Sequence, residues 1–223
     1  LRIRLQEERP EQIRTIQTRL VNAYEQRNEW ERAYHTCRQF NDPNLLAGLI
    51  ERAGPSMSRR AVVTLADWLN ALPPALANSR PGLLSLRGGI GYLRGNYHEA
   101  LSLLNQAETI YRAGEDAAGL SLALVRRSMA HLNLGDYQTS LHDAEEALQL
   151  TENVQELQLH HAEAQRVKGL VLTRLGRTRQ GIECLERSLA LYTYFNKTDS
   201  IPILLLNCGM AYRAVGNYAA AEK

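Results

Sequence analysis

Cysteine is scarce in this 223-residue chain, and Cys37, Cys184 and Cys208 are odd in number and far apart. Neither a disulfide framework nor a paired-cysteine metal knuckle is available, a usage that fits a reducing cytoplasm. Each cysteine stands inside a helical pattern and reads as a small buried apolar residue. Aromatic residues are only 6% of the chain, with two phenylalanines, and Leu and Ala fill most apolar positions. That composition excludes a deep β-sandwich core and favours many small helix contacts. No apolar run approaches the roughly 18 residues that a membrane helix needs, and no basic-then-apolar leader opens the chain. An excess of one charge is missing too: 26 Lys+Arg face 24 Asp+Glu for a net of +2, scattered along the sequence. No basic stripe forms to neutralise a run of phosphates, so direct nucleic-acid binding and membrane insertion are both set aside.

What the chain has in place of these is a repeat. A turn-like Gly followed two residues later by Tyr or Thr occurs at Gly95 and Tyr97, Gly135 and Tyr137, Gly176 and Thr178, and Gly216 and Tyr218, at spacings of 40, 41 and 40 residues. Seven residues before each turn glycine stands a small residue (Gly88, Ser128, Gly169, Gly209), and five after it stands Ala100, Ser140, Gly181 or Ala221. Twelve after it come Ala107, Ala147 and Ser188. Each unit reads as two antiparallel helices joined by a tight turn. The glycine supplies a left-handed helix cap, and the small residues let the paired helices approach closely. The fold expected is therefore all-α, a right-handed superhelix (α-solenoid) of antiparallel helix pairs with a period of about 40.

The columns resemble tetratricopeptide repeats (TPR), whose period is about 34. The extra six or so residues are expected to lengthen the helices, or loops such as residues 112–119 and 192–200. The TPR-like repeats span 81–223, as units of about 81–120, 121–161, 162–201 and a truncated 202–223. Residues 10–80 read as degenerate N-terminal helical repeats of the same continuous solenoid. There Asp42 is placed to cap a helix with Pro43 at its first position, which is expected to end at Ala53-Gly54-Pro55. A second helix is expected from about Met57 to Ala71. The last residues open a helix that runs only one or two turns, so the chain is expected to be cut from a longer protein, and its uncapped end to favour self-association.

Leu65-Ala66-Asp67-Trp68-Leu69-Asn70-Ala71-Leu72-Pro73, followed by Ser79-Arg80-Pro81-Gly82-Leu83-Leu84 and the long-period repeats, resembles the maltose-regulator-like (MalT-like) family of bacterial transcription regulators with LuxR-type ends. The resemblance implies an effector-sensing domain that follows a STAND-class ATP-binding domain and a winged helix and precedes a DNA-reading helix-turn-helix. Residues 1–9 would then be the exit from an upstream domain. The chain itself has no G-x-x-x-x-G-K-[ST] loop, so ATP is expected only in that upstream domain, and no cofactor in this segment.

No constellation here carries catalysis, and the chain is read as a non-enzyme. Gly88-Gly89-Ile90-Gly91-Tyr92-Leu93-Arg94-Gly95 follows no strand pattern and so is not a nucleotide loop. His160 and His161 lack the HExxH spacing and point about 100° apart on a helix, which favours a surface pair over a metal site. Function is assigned instead to the groove lined by the first helix of each repeat. Tyr92, Arg126, Asn133, Arg166 and Asn207 fall on one stripe of those helices, mixing Arg donors for carboxylate or phosphate with an aromatic and two amides. The partner expected is a small-molecule inducer or a regulatory protein. The alternative is a generic TPR scaffold that binds a peptide or a partner helix.

Overall fold

The computed structural model describes residues 10–222 and is helical throughout; among these residues there is no strand. Residues 1–9, read from the resemblance as a domain exit, lie outside the described residues, as does Lys223. The chain separates into two compact units, one up to Ile90 and one from Gly91 onward.

The first unit holds α1 (Pro10–Gln26), α2 (Trp30–Cys37), α3 (Pro43–Arg60), α4 (Val62–Asn70), α5 (Pro74–Ser79) and most of α6 (Pro81–Leu93). Asp42 caps α3 as its sequence implies, accepting from the backbone N–H of Asn44 at 2.9 Å and of Leu45 at 3.3 Å. The expected end of that helix at Ala53-Gly54-Pro55 is corrected: α3 runs through Pro55 to Arg60 and breaks at Ala61, where φ is −143°. Pro55 removes a single backbone donor, while the buried stripe of Ile50, Ala53 and Met57 keeps its helical spacing across it. Burial on that stripe outweighs the one lost hydrogen bond. The Leu65 to Pro73 element forms the core of this unit, with Leu65, Ala66, Trp68, Leu69 and Leu72 all buried. Trp68 stacks flat on Tyr34, ring centroids 4.1 Å apart. Because α6 is one continuous helix, the Gly88 to Gly95 segment forms no phosphate loop.

The second unit is a stack of helix pairs: α7 (Tyr97–Ala113), α8 (Ala117–Leu134), α9 (Tyr137–Thr151), α10 (Gln158–Arg174), α11 (Thr178–Tyr194), α12 (Ile201–Ala214) and the short α13 (Tyr218–Ala221). The first helices α8, α10 and α12 lie side by side, and α7, α9 and α11 pack between them as a second layer. All four turn glycines adopt the left-handed conformation, with φ between 77° and 82°. The residue after each closes the turn onto the preceding helix, for example Asp136 N–H donating to His131 C=O at 3.0 Å. The extra residues of the long period are divided between helices and connections. Between α7 and α8 only Gly114, Glu115 and Asp116 intervene, so no long loop forms there, whereas residues 152–157 join α9 to α10 and residues 195–200 join α11 to α12, each containing a single 3-10 turn.

The small-residue columns are where paired helices touch. Ser128 and Ser140 face each other across α8 and α9, each hydroxyl donating to the other's backbone carbonyl at 2.7 Å. In the next unit Gly169 and Gly181 take those places. A β-carbon on Gly169 would stand 2.8 Å from the Gly181 carbonyl oxygen, and one on Gly181 would stand 2.7 Å from that of Gly169. Ala107, Ala147 and Ser188 are fully buried, and Ser188 Oγ donates to the Ala162 carbonyl at 2.7 Å.

A charged network ties α7, α8 and α9 next to the contact of Ser128 with Ser140. Arg127 donates from Nε and Nη2 to the carboxylate of Asp143 at 2.8 and 2.7 Å, and also pairs with Glu108. Asp143 is fully buried. Arg112 extends the network by bridging Glu108 and Glu146 at 2.7 and 2.6 Å. At the far end of the unit, α12 leaves Ile203, Leu206 and Met210 exposed.

Candidate functional site

The stripe of inner-helix residues gathers around an acid. Glu163 and Arg166 share one face of α10 by their spacing of three, and Arg166 donates from Nε and Nη2 to the Glu163 carboxylate at 3.0 and 2.6 Å. The Tyr192 hydroxyl, from α11, donates to the same carboxylate at 2.8 Å. Arg166 is 8% exposed, an unusual position for a guanidinium. Burial works against its charge, and Glu163 more than restores it.

Three further elements converge on this pair. Tyr92, in the last turn of α6, lies within electrostatic reach of Arg166 and Glu163 and near Asn133 of α8; burial pushes its phenol up. Asn133 also donates from Nδ2 to the Met129 carbonyl at 2.8 Å. Arg126 of α8 is deeply set, within electrostatic reach of Tyr111 and Glu163, and burial depresses its pKa. His160, one turn before Glu163, lies beside Arg126, and its Nδ1 is buried with no partner among the described residues. Tyr111 packs against Gly119, where a β-carbon would overlap its ring.

Of the five residues read from sequence, the structure brings Tyr92, Arg126, Asn133 and Arg166 together. Asn207 stands apart, buried on α12 with its Nδ2 unpartnered among the described residues. Sequence reasoning missed Glu163 as the hub, and with it Tyr111, His160 and Tyr192. A local signal existed only for Glu163, three residues before Arg166.

The reading of His160 and His161 as a surface pair is corrected: both are half-buried, on different faces of α10. His160 faces the cluster. His161 Nδ1 lies 3.1 Å from Thr151 Oγ1 and its Nε2 lies 3.2 Å from Gln165 Nε2. The Thr151 hydroxyl donates to the Ala147 carbonyl at 2.8 Å, so it accepts from Nδ1–H, and Nε2 accepts from the glutamine. That arrangement requires a neutral ring. His161 also lines an open depression of about 580 Å³ with Glu145, Glu152, Lys168 and Arg187, away from the Glu163 cluster.

Burial lowers both histidines below their ordinary 6.5, reinforced at His160 by Arg126 and opposed at His161 by Glu152. The unfolded chain therefore takes up more protons than the folded one as pH falls through this range, and stability falls with it. The thermal midpoint is expected to be lower at about pH 5.5 than at about pH 7.5. His161→Asn should flatten that dependence. A midpoint equal at both pH values would contradict the assignment of neutral, buried rings.

Among the described residues no group of three His, Cys, Asp or Glu is placed to hold a metal ion, and no helix is long and apolar enough to cross a membrane. Cys37, Cys184 and Cys208 are free and buried, and burial raises all three thiols above their ordinary value.

No protein-family model matches the chain, and no curated protein matches it in sequence. Solved structures do match in fold. BtubC from P. vanneervenii is similar over 87% of this chain and 84% of its own, with a TM-score of 0.61 and 15% identity. A tetratricopeptide repeat protein from Parabacteroides merdae is similar over 95% of this chain and 77% of its own, with a TM-score of 0.54 and 16% identity. The apo form of RapI is similar over 86% of this chain at a TM-score of 0.56 and 14% identity, and the match spans 56% of RapI's length. The chain thus has an all-α fold of the tetratricopeptide-like kind.

Proposed function

We propose that this chain is a binding module and that the face organised by Glu163 is its binding surface. The observation that carries the reading is the convergence of Tyr92, Arg126, Asn133, His160 and Arg166 from three successive inner helices onto one place that is polar, half-buried and edged by tyrosines. Stacked helix pairs offer an extended face for a peptide or partner protein. The fold shared with tetratricopeptide proteins supports that role by analogy.

The test is a selection. Random peptides enriched on the wild-type chain are rebound to Tyr92→Ala and Arg166→Met variants whose circular dichroism matches the wild type. Loss of at least about tenfold in affinity is expected, about 1.4 kcal/mol. Peptides that bind both variants as well as the wild type would place the binding surface elsewhere.

A finer reading makes the chain the effector-sensing portion of a MalT-like, LuxR-type regulator, with ATP bound by a separate domain. Its support is the order of elements from Leu65 to Leu84 running into the repeats. Under it, the effector acts by binding one arrangement of the regulator more tightly than the other. The encoding gene tests this reading. A reading frame with a phosphate-binding loop upstream and a helix-turn-helix downstream is expected; a frame with neither leaves the peptide-binding scaffold.

A further inference from the structure

The depression beside His161 shares no lining residue with the face organised by Glu163, and its floor holds an unanswered acceptor. It is a groove between antiparallel helices: Lys168 pairs with Glu145 at 2.9 Å toward one end, and His161 meets Thr151 toward the other. On α9, Glu145 and Glu152 stand seven residues apart; on α10, His161, Gln165 and Lys168 follow at spacings of four and three, so each set shares one helix face. Gln165 is 8% exposed and lines the groove. Its amide is oriented by its neighbour. His161 Nδ1–H donates to Thr151, so His161 Nε2 accepts, and Gln165 Nε2 is the donor to it at 3.2 Å. The other amide atom, Gln165 Oε1, is buried with no partner among the described residues. An acceptor taken from water and given no donor is costly.

The charges along the groove are polarised. Glu152 acts on the neutral His161 ring, whereas Lys168, Arg187 and Glu145 act together on the Cys184 thiol of α11. The lining thus carries a net negative charge at the His161 end and a net positive charge at the Lys168 end. Gln165 lies between them, about one turn from each. We infer that the groove is a binding site for a zwitterion, whose ammonium donates to Gln165 Oε1 on the side of Glu152 and whose carboxylate meets Arg187 one helical turn, about 5 Å, away. The ammonium supplies the donor that Oε1 lacks and places its charge in the field of Glu152. A hydroxyl would answer the acceptor and leave that field unanswered. Because the lining charges cancel with His161 neutral, a ligand of no net charge keeps the balance, and the reversed orientation would set its ammonium against Arg187. Leu148, on the same face of α9, offers apolar surface to the methylenes between the two ends.

The experiment is titration of the full chain at about pH 7.5, where His161 is neutral, with γ-aminobutyrate, butylamine, butyrate and glycine, followed by calorimetry and by the side-chain amide resonances of Gln165. Tighter binding of γ-aminobutyrate is expected, by at least about tenfold over butyrate, which lacks the donor, and about threefold over butylamine and glycine, which lack the second charge or its spacing. Gln165→Met removes the acceptor and keeps most of the volume; it should cost at least about fivefold in a chain whose fold is verified by circular dichroism. Glu152 and Arg187 are exposed, so their variants spare the fold. Glu152→Gln should narrow the preference for γ-aminobutyrate over butyrate, and Arg187→Gln should abolish the preference over butylamine.

The inference is overturned if γ-aminobutyrate fails to bind at about 10 mM, binds no more tightly than butyrate, or leaves the Gln165 amide resonances unmoved. Indifference of its affinity to both Glu152→Gln and Arg187→Gln would overturn it as well. A lysine at a peptide C-terminus presents the same two charges, and Nα-acetyl-lysine separates the sources. Tighter binding of Nα-acetyl-lysine than of γ-aminobutyrate assigns a peptide terminus, and the reverse order assigns a free ω-amino acid. Peptides selected through Tyr92 and Arg166 are expected to bind Gln165→Met as they bind the wild type, so the failure of either site leaves the other standing.

Discussion

Arg127→Met is expected to destabilise the second unit by about 3–5 kcal/mol, the largest loss foreseen for any single change in this chain. Methionine keeps most of the packing volume, so the loss is electrostatic. Asp143 is fully buried and receives two hydrogen bonds from Arg127 at 2.8 and 2.7 Å. Without them its carboxylate is left in the interior uncompensated. Glu108 loses one of its two arginines as well. Burial pushes its carboxyl up, and Arg112 and Arg127 together hold it below the ordinary value. Chemical denaturation of wild type and variant measures the effect. The pairing of Arg127→Met with Asp143→Leu should recover part of the loss, because removing both charges is cheaper than stranding one. A single-variant loss below about 1 kcal/mol would mean that the pair is effectively solvated.

Gly181→Ala is expected to cost about 2 kcal/mol although alanine is the better helix former by about 1 kcal/mol. The new methyl group would stand 2.7 Å from the Gly169 carbonyl oxygen and 2.6 Å from Thr173 Oγ1. The first of these is backbone and has no rotamer into which it can retreat. Gly169→Ala should behave alike, with the Gly181 carbonyl oxygen 2.8 Å away. Gly209 provides the control, since its added carbon would meet only the Ala221 carbonyl at 3.4 Å. Gly209→Ala should be neutral or slightly stabilising. Equal effects at positions 181 and 209 would show that the α10 and α11 backbones yield.

The contrast between these glycines shows what was legible in the sequence. The repeat columns could be read because each position answers one recurring physical demand. Gly95, Gly135, Gly176 and Gly216 share a left-handed torsion, and Gly169, Gly181, Ser128 and Ser140 share a close crossing. Pro55 misled, because a proline marks a break unless burial on both sides carries the helix across it, and the contacts of Ala53 and Met57 are not local. The cluster was half legible for the same reason. Tyr92, Arg126, Asn133 and Arg166 follow from the stripe, whereas Tyr111 and Tyr192 come from the second helices and reach the site only through tertiary packing. Asn207 shares its register with Arg126 and Val167, each nine residues before its turn glycine, yet it has no counterpart of Glu163 to join.

The length of the inner helices has a consequence of its own. α10 has 17 residues and rises about 26 Å along its axis. A period of about 34, reached by shortening the helices alone, would remove roughly three residues from each helix of a pair. Taken from the start of α10, those residues are Gln158, Leu159 and His160, while Glu163 and Arg166 stay. A transplant of this face onto a repeat of the shorter period would keep the ion pair and lose the imidazole. The unit's stride therefore decides whether an imidazole accompanies the Glu163–Arg166 pair, and two repeats identical at that pair would differ in its surroundings if their strides differed.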